Sequence, residues 1–336
     1  MTEPLELNRC IFGDALKVLR TLPDGVFDCC VSSPPYYALR TYKGHPKQIG
    51  LETTPQAYIR KLVRVFREVR RTLRDDGLLF VVIGDSYAGS PGGFQGKNGA
   101  RASRTFTARI DQRKGGKGLK PKDLIGVPWM LGLALRADGW WLRADIIHSK
   151  PNPMPESVLD RPTRAHDYVL MLAKSHRYFY NEAAMREPAA EPNWTRDYRN
   201  RLLKSDGAEP LLRERLPKER LIKGGETRAA RDVWTIPSEP YRGEHYATMP
   251  SQLARRCILA GSREGGAVLD PFMGSGTCGL VAEALGRRWL GIELEKAYEP
   301  LIRERTSQAG LYFDQPAPEL TPARPEPEQV DLEVGT

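Results

Sequence analysis

The sequence predicts an α/β fold built on a mostly parallel sheet, and three observations carry that prediction. Short strand-like runs alternate with segments of helical periodicity along most of the chain. The run LLFVVIG (78–84) is apolar throughout, as a strand buried on both faces must be. The stretch AVLDPFMGSGTCGLVAEALGRRWLGIELEKAY (267–298) reads as strand, glycine-rich turn, helix and strand, closing on the acid Glu293.

In chain order, CIFGD (10–14) reads as a strand ending in a turn, and ALKVLRTL (15–22) as a short helix. Val26, Phe27, Cys29, Cys30 and Val31 form the next strand, which runs into Ser33-Pro34-Pro35-Tyr36-Tyr37. Proline fixes φ and has no N–H, so this elbow is rigid and cannot extend a strand ladder. From 55 to 73 the residues Tyr58, Leu62, Phe66, Val69 and Leu73 share one helical face, and Asp75, Asp76 and Gly77 stop that helix before the 78–84 strand. Residues 89–122 are rich in glycine and set nine Lys/Arg against Asp111, a composition that builds no core. A helix (128–137) and strands at 140–149 and 166–174 follow, the strands separated by the proline-rich KPNPMPES. Between 185 and 235 the periodicity dissolves, with 11 bases against six acids from 196 to 231. A helix over 251–260 leads into the second motif.

Charge points to the partner. The net charge is +9, but residues 314–336 carry six acids and one base, leaving +14 on the other 313 residues. Such a surplus favours a polyanion through counterion release. The 314–336 tail, rich in Pro and Glu, is expected to be disordered. No run approaches the ~18 apolar residues of a membrane helix, and the opening MTEPLELNRC has no secretory pattern. Five cysteines without a CxxC argue against a disulfide frame and against a zinc site; no metal is expected. A cytoplasmic protein without membrane contact is the expectation.

The 267–298 motif suits a nucleoside-bearing cofactor. Gly274 and Gly276 permit a tight turn, the helix from Thr277 offers free N–H groups, and Glu293 stands where a carboxylate accepts the hydroxyls of a ribose. No Gly-Lys-Ser/Thr follows the turn, which disfavours a phosphate-gripping loop, and the third glycine of a dinucleotide fingerprint is missing.

Asp270-Pro271-Phe272-x-Gly274-x-Gly276 together with Ser33-Pro34-Pro35-Tyr36 resembles the amino-group DNA methyltransferases that use S-adenosylmethionine. With the elbow first and the glycine motif last, the order resembles the permuted β group, over roughly residues 8 to 306. The resemblance implies a Rossmann-like methyltransferase sheet, circularly permuted, with an inserted target-recognition region. Residues 1–184 (with the basic loop 89–122) and 236–313 would form one catalytic domain, and 185–235 the recognition region. Cofactor and elbow would then share one crevice at the carboxyl ends of the strands.

The resemblance also assigns roles. Ser33 and the Pro34 carbonyl would accept from the amino group under attack, Pro35 would stiffen the elbow, and Tyr36 would stack on a base flipped from the duplex. Asp14 (in GDAL, 13–16) would contact the cofactor adenine, with helix capping as the alternative; Thr248 (in HYATMP, 245–250) and Asp85 (in GDSY, 84–87) would lie near the methionine moiety, with capping again the alternative for Thr248. Asp270, Pro271, Phe272, Gly274, Gly276, Thr277 and Glu293 complete the cofactor set. Tyr37, His148 and Lys150 would face the target base, His148 standing where the family commonly has Trp; Arg101, Arg104, Arg109 and Lys114 would meet phosphates.

Cytosine-N4 members of that family usually begin the elbow with Ser, and adenine members with Asp or Asn, so Ser33 points to N4-methylcytosine. Adenine-N6 methylation, and a catalytically inactive DNA-binding regulator, are the alternatives. Cytosine C5 methylation fits poorly, for the chain has no Pro-Cys. A protein-glutamine methyltransferase fits neither the letter nor the order. The expected partners are double-stranded DNA and a cognate restriction endonuclease, for a bacterial, archaeal or phage-encoded monomer or homodimer.

Overall fold

The computed structural model describes residues 5–38, 48–88, 119–153, 155–188, 227–239 and 249–310. The strands are β1 (Arg9–Phe12), β2 (Phe27–Ser32), β3 (Leu73–Ile83), β4 (Trp141–Ser149), β5 (His166–Ala173), β6 (Glu187–Pro188), β7 (Thr227–Arg228), β8 (Val233–Thr235), β9 (Ala267–Asp270) and β10 (Arg288–Glu293). The helices are α1 (Ala15–Leu19), α2 (Pro55–Thr72), α3 (Val127–Ala137), α4 (Glu182–Met185), α5 (Ser251–Gly261), α6 (Thr277–Ala284) and α7 (Glu299–Ser307).

Eight strands form one sheet in the order β1-β10-β9-β2-β3-β5-β4-β8. Every strand runs the same way except β5, which is antiparallel to both β3 and β4. The first and last parts of the chain are interleaved: β9 pairs with β2 (Cys29↔Val268, Cys30↔Leu269), and β10 with β1. The two motif-bearing strands, β2 and β9, are therefore neighbours in one sheet.

Helices cover both faces. Alternate residues of β3 divide between two cores: Leu79, Val81 and Ile83 pack with Leu62 and Phe66 of α2 and Leu131 of α3, while Leu78, Phe80 and Val82 pack with Leu253 and Cys257 of α5 and Val281 of α6. This explains the unbroken apolar run in β3. The Asp75-Asp76-Gly77 stop is an excursion within that strand. β3 begins at Leu73, directly after α2, and the register slips between Phe27↔Leu73 and Cys29↔Leu78, so residues 74–77 bulge outward. Arg263 meets Asp76 there at 2.7 Å.

The strands expected at 140–149 and 166–174 form, as do the helices at 128–137 and 251–260, with ends shifted by a residue. The first helix is shorter than the 15–22 expected. Residues 187–188 and 227–228 pair as β6 and β7. Glu187, buried there, gathers Arg231 at 3.1 Å, Arg256 at 3.2 Å and Arg228 at 3.8 Å. Among the described residues no helix is long and apolar enough to cross a membrane.

Candidate active site

β2 delivers the elbow to the carboxyl edge of the sheet. Pro34 is buried, while Ser33, Pro35 and Tyr36 are half-buried. Tyr58, fully buried on α2, donates its hydroxyl to the Pro35 carbonyl at 2.9 Å, and its ring stands 5.4 Å from that of Tyr37. Tyr37 is thus a core residue of the elbow, 6% exposed.

Tyr36 sits over the start of β5. Its hydroxyl approaches Asp167 Oδ2 at 3.4 Å, and the Ser33 side chain acts on it as well. Burial, and next the Asp167 charge, push the phenol far above its usual range, so it stays a donor. Lys150 Nζ lies 2.5 Å from Asp167 Oδ2. Gly84 makes room for the pair: a Cβ there would stand 2.6 Å from Tyr36 Cε2 and 2.8 Å from Asp167 Oδ1.

The second motif arrives alongside. Ser32 donates to Asp270 Oδ1 at 2.5 Å, joining residues 238 positions apart, and Phe272 N donates to the same oxygen at 3.0 Å. Burial pushes the Asp270 carboxyl upward, and these two donors oppose it. Gly274 and Gly276 adopt φ of 54° and 88°, the left-handed region that glycine enters without strain, and Gly276 caps α6. Arg305 of α7 braces the turn from behind, with Nη1 at 2.7 Å from Ser275 Oγ and 3.0 Å from Thr277 Oγ1. Phe272 meets Phe66 edge-on at 6.4 Å.

Glu293 ends β10 beside this turn. Its Oε2 accepts from Gly274 N and its Oε1 from Glu295 N, both at 2.8 Å. Burial pushes its carboxyl up to about 6, with those N–H groups acting in the opposite direction. A glycine turn at a helix N-terminus, joined to a half-buried carboxylate with lone pairs to spare, is a donor and acceptor set that fits a nucleoside-bearing cofactor.

The other expected residues are placed as follows. Asp14 caps α1, Oδ1 accepting from Lys17 N at 3.0 Å, which is the capping alternative. Asp85 accepts from Ser86 N, Gly126 N and Val127 N at 2.9–3.1 Å, and so caps α3, whose N-terminal Gly126 has no side chain to do it. His148 is 1% exposed, between Asp167 on β5 and Trp234 on β8, with Nε2 at 3.0 Å from the Ile236 carbonyl. Burial lowers its pKa. A neutral ring donating from Nε2 is the state that satisfies that carbonyl. Thr248, Arg101, Arg104, Arg109 and Lys114 lie outside the described residues, as do 189–226 of the recognition region.

Three contributors escape sequence reasoning: Tyr58, Arg305 and Asp167. Tyr58 reads in the sequence only as a core position, and Asp167 lies in a segment that reads only as a strand. Its one signal is a charged residue at the start of an otherwise apolar run.

The family model described as DNA methylase, of the N6/N4 type, matches residues 27–304. Among curated proteins, the chain is 45% identical to the type II methyltransferase M.SmaI of Serratia marcescens, over 88% of this chain and 90% of that protein. It is 44% identical to the type II methyltransferase M.Cfr9I of Citrobacter freundii, over 90% of each. A candidate DNA modification methylase of Thermus thermophilus, solved with S-adenosyl-L-methionine, superposes with a TM-score of 0.54 at 27% identity, covering 90% of this chain and 93% of that one. The PvuII DNA methyltransferase (cytosine-N4-specific) shares the fold, with a TM-score of 0.57 at 16% identity over 92% of each chain.

Proposed function

The chain belongs to the N6/N4 DNA methylase family as an S-adenosylmethionine-dependent DNA methyltransferase, and on that premise we propose that it methylates the N4 amino group of a cytosine flipped out of double-stranded DNA. The observation that carries the reading is Ser33, a neutral hydroxyl at the head of an elbow one residue beyond the Ser32–Asp270 link to the cofactor motif.

Cytosine N4 is a poor nucleophile because its lone pair delocalises into the ring. Ser33 Oγ and the Pro34 carbonyl accept from the two amino N–H groups, drawing the nitrogen toward sp³ and aiming its lone pair. S-adenosylmethionine, when bound, would supply an electrophilic methyl group and leave as S-adenosylhomocysteine, the methylated nitrogen giving up one proton to water. The chain's task is alignment and stabilisation of the positive charge that grows on nitrogen. Pro34 and Pro35 hold the acceptors without offering a competing donor, and the Tyr58 bond to the Pro35 carbonyl adds stiffness. Tyr36 forms the face on which the base stacks. Glu293 accepts from the ribose hydroxyls, and the α6 N-terminus with Gly274 and Gly276 lets the backbone approach the cofactor. Residues 1–184 and 236–313 act as one catalytic domain, 185–235 reads the site, and 89–122 meets phosphates.

Mass spectrometry of nucleosides from duplex DNA incubated with the enzyme and S-adenosylmethionine tests the proposal. N4-methylcytosine is the expected product. N6-methyladenine would transfer the assignment to adenine, and cofactor binding without methyl incorporation would point to a DNA-binding regulator.

A further inference from the structure

A serine hydroxyl can donate or accept, and the proposed chemistry needs Ser33 as an acceptor. Something must hold its proton away from the amino group. The side chains behind the elbow can form a chain that does so: Lys150 Nζ is 2.5 Å from Asp167 Oδ2, the Tyr36 hydroxyl is 3.4 Å from that same oxygen, and the Ser33 side chain acts on the Tyr36 phenol.

We propose that Asp167, held by Lys150, is a positioning residue that orients the Tyr36 hydroxyl and, through it, turns the Ser33 lone pairs toward the target amino group. The inference rests on the reading that Ser33 accepts from that group. An ionised carboxylate only accepts, so Tyr36 must donate to Asp167. The Tyr36 oxygen is then left to accept from Ser33, whose proton is drawn inward. Each bond polarises the next in the same direction. The 3.4 Å contact is long for O–H···O, as catalytic hydrogen bonds often are before substrate binds. Lys150 and Tyr36 face the carboxylate from β4's exit and from the elbow, and Gly84 leaves the opening through which they meet.

The test is a double-mutant cycle on methyl transfer to duplex DNA with the full chain, using Asp167→Asn and Tyr36→Phe, the second of which keeps the ring and removes only the hydroxyl. Each single change is expected to lower kcat by about tenfold while KM for DNA and cofactor affinity stay within about twofold. The double variant is expected to lose no more than either single one, because both cut the same chain. Lys150→Met, which removes the cation holding Asp167 and leaves Tyr36 and Asp167 themselves unchanged, should reproduce the phenotype and likewise add nothing to Tyr36→Phe. It carries the test if Asp167→Asn does not fold. Losses that multiply to about a hundredfold, or an unchanged kcat in Asp167→Asn, overturn the inference. A wild-type enzyme that methylates no DNA overturns the underlying reading with it; an active wild type with multiplying losses overturns this inference alone.

Discussion

Two carboxylates show how burial converts a residue into a determinant of the site. Glu293 is raised from 4.5 to about 6, so the folded protein takes up its proton more readily than the unfolded chain. The stability attributable to this group is therefore greatest at low pH and falls as pH rises from 4.5 through 6. On the proposed role of Glu293 as the ribose acceptor, cofactor binding runs the other way, because the ribose hydroxyls need the ionised carboxylate. S-adenosylmethionine affinity measured by calorimetry should be level above about pH 7, weaken as pH drops through about 6, and lose that dependence in Glu293→Gln. Asp270 is buried on the seam between β9 and β2, with Ser32 as a donor. Ser32→Ala removes one donor from a buried carboxyl and should lower unfolding stability by about 1–3 kcal/mol in urea titration.

Among the elements, α3 begins at a glycine with φ 82° and takes its cap from Asp85, more than a helix-length earlier in the chain. Asp85→Ala strands N–H groups of the first turn and should cost about 1–2 kcal/mol, seen as a lower thermal midpoint. A fall in cofactor affinity beyond that would add the second role expected for Asp85. α5 is set in a similar way: Glu239 accepts from Ser251 N at 3.0 Å and from its hydroxyl at 2.6 Å, in place of a cap from Pro250. In both cases an acid outside the helix caps its first turn.

For the molecule as a whole, the residues outside the acidic tail carry +14, much of it in the basic stretches 89–122 and 185–235. Non-specific DNA affinity should therefore drop steeply between about 50 and 200 mM salt, as a linear fall of log K against log salt. Fluorescence anisotropy on a duplex without a recognition site measures it. A flat response would remove the basic stretches from DNA binding.

Residue order alone settled the layered architecture, the two motifs and the element that bears each, because apolar periodicity, proline and glycine act within a few residues of themselves. That is why 26–31, 78–84 and 267–298 were readable as strands and turns. Only the folded chain decided that Asp85 and Asp14 serve as caps, that His148 turns inward to a carbonyl, and that Asp167 stands beneath Tyr36. Each of those outcomes depends on which distant backbone N–H or side chain arrives alongside, and a buried polar atom takes whatever partner the packing brings within reach.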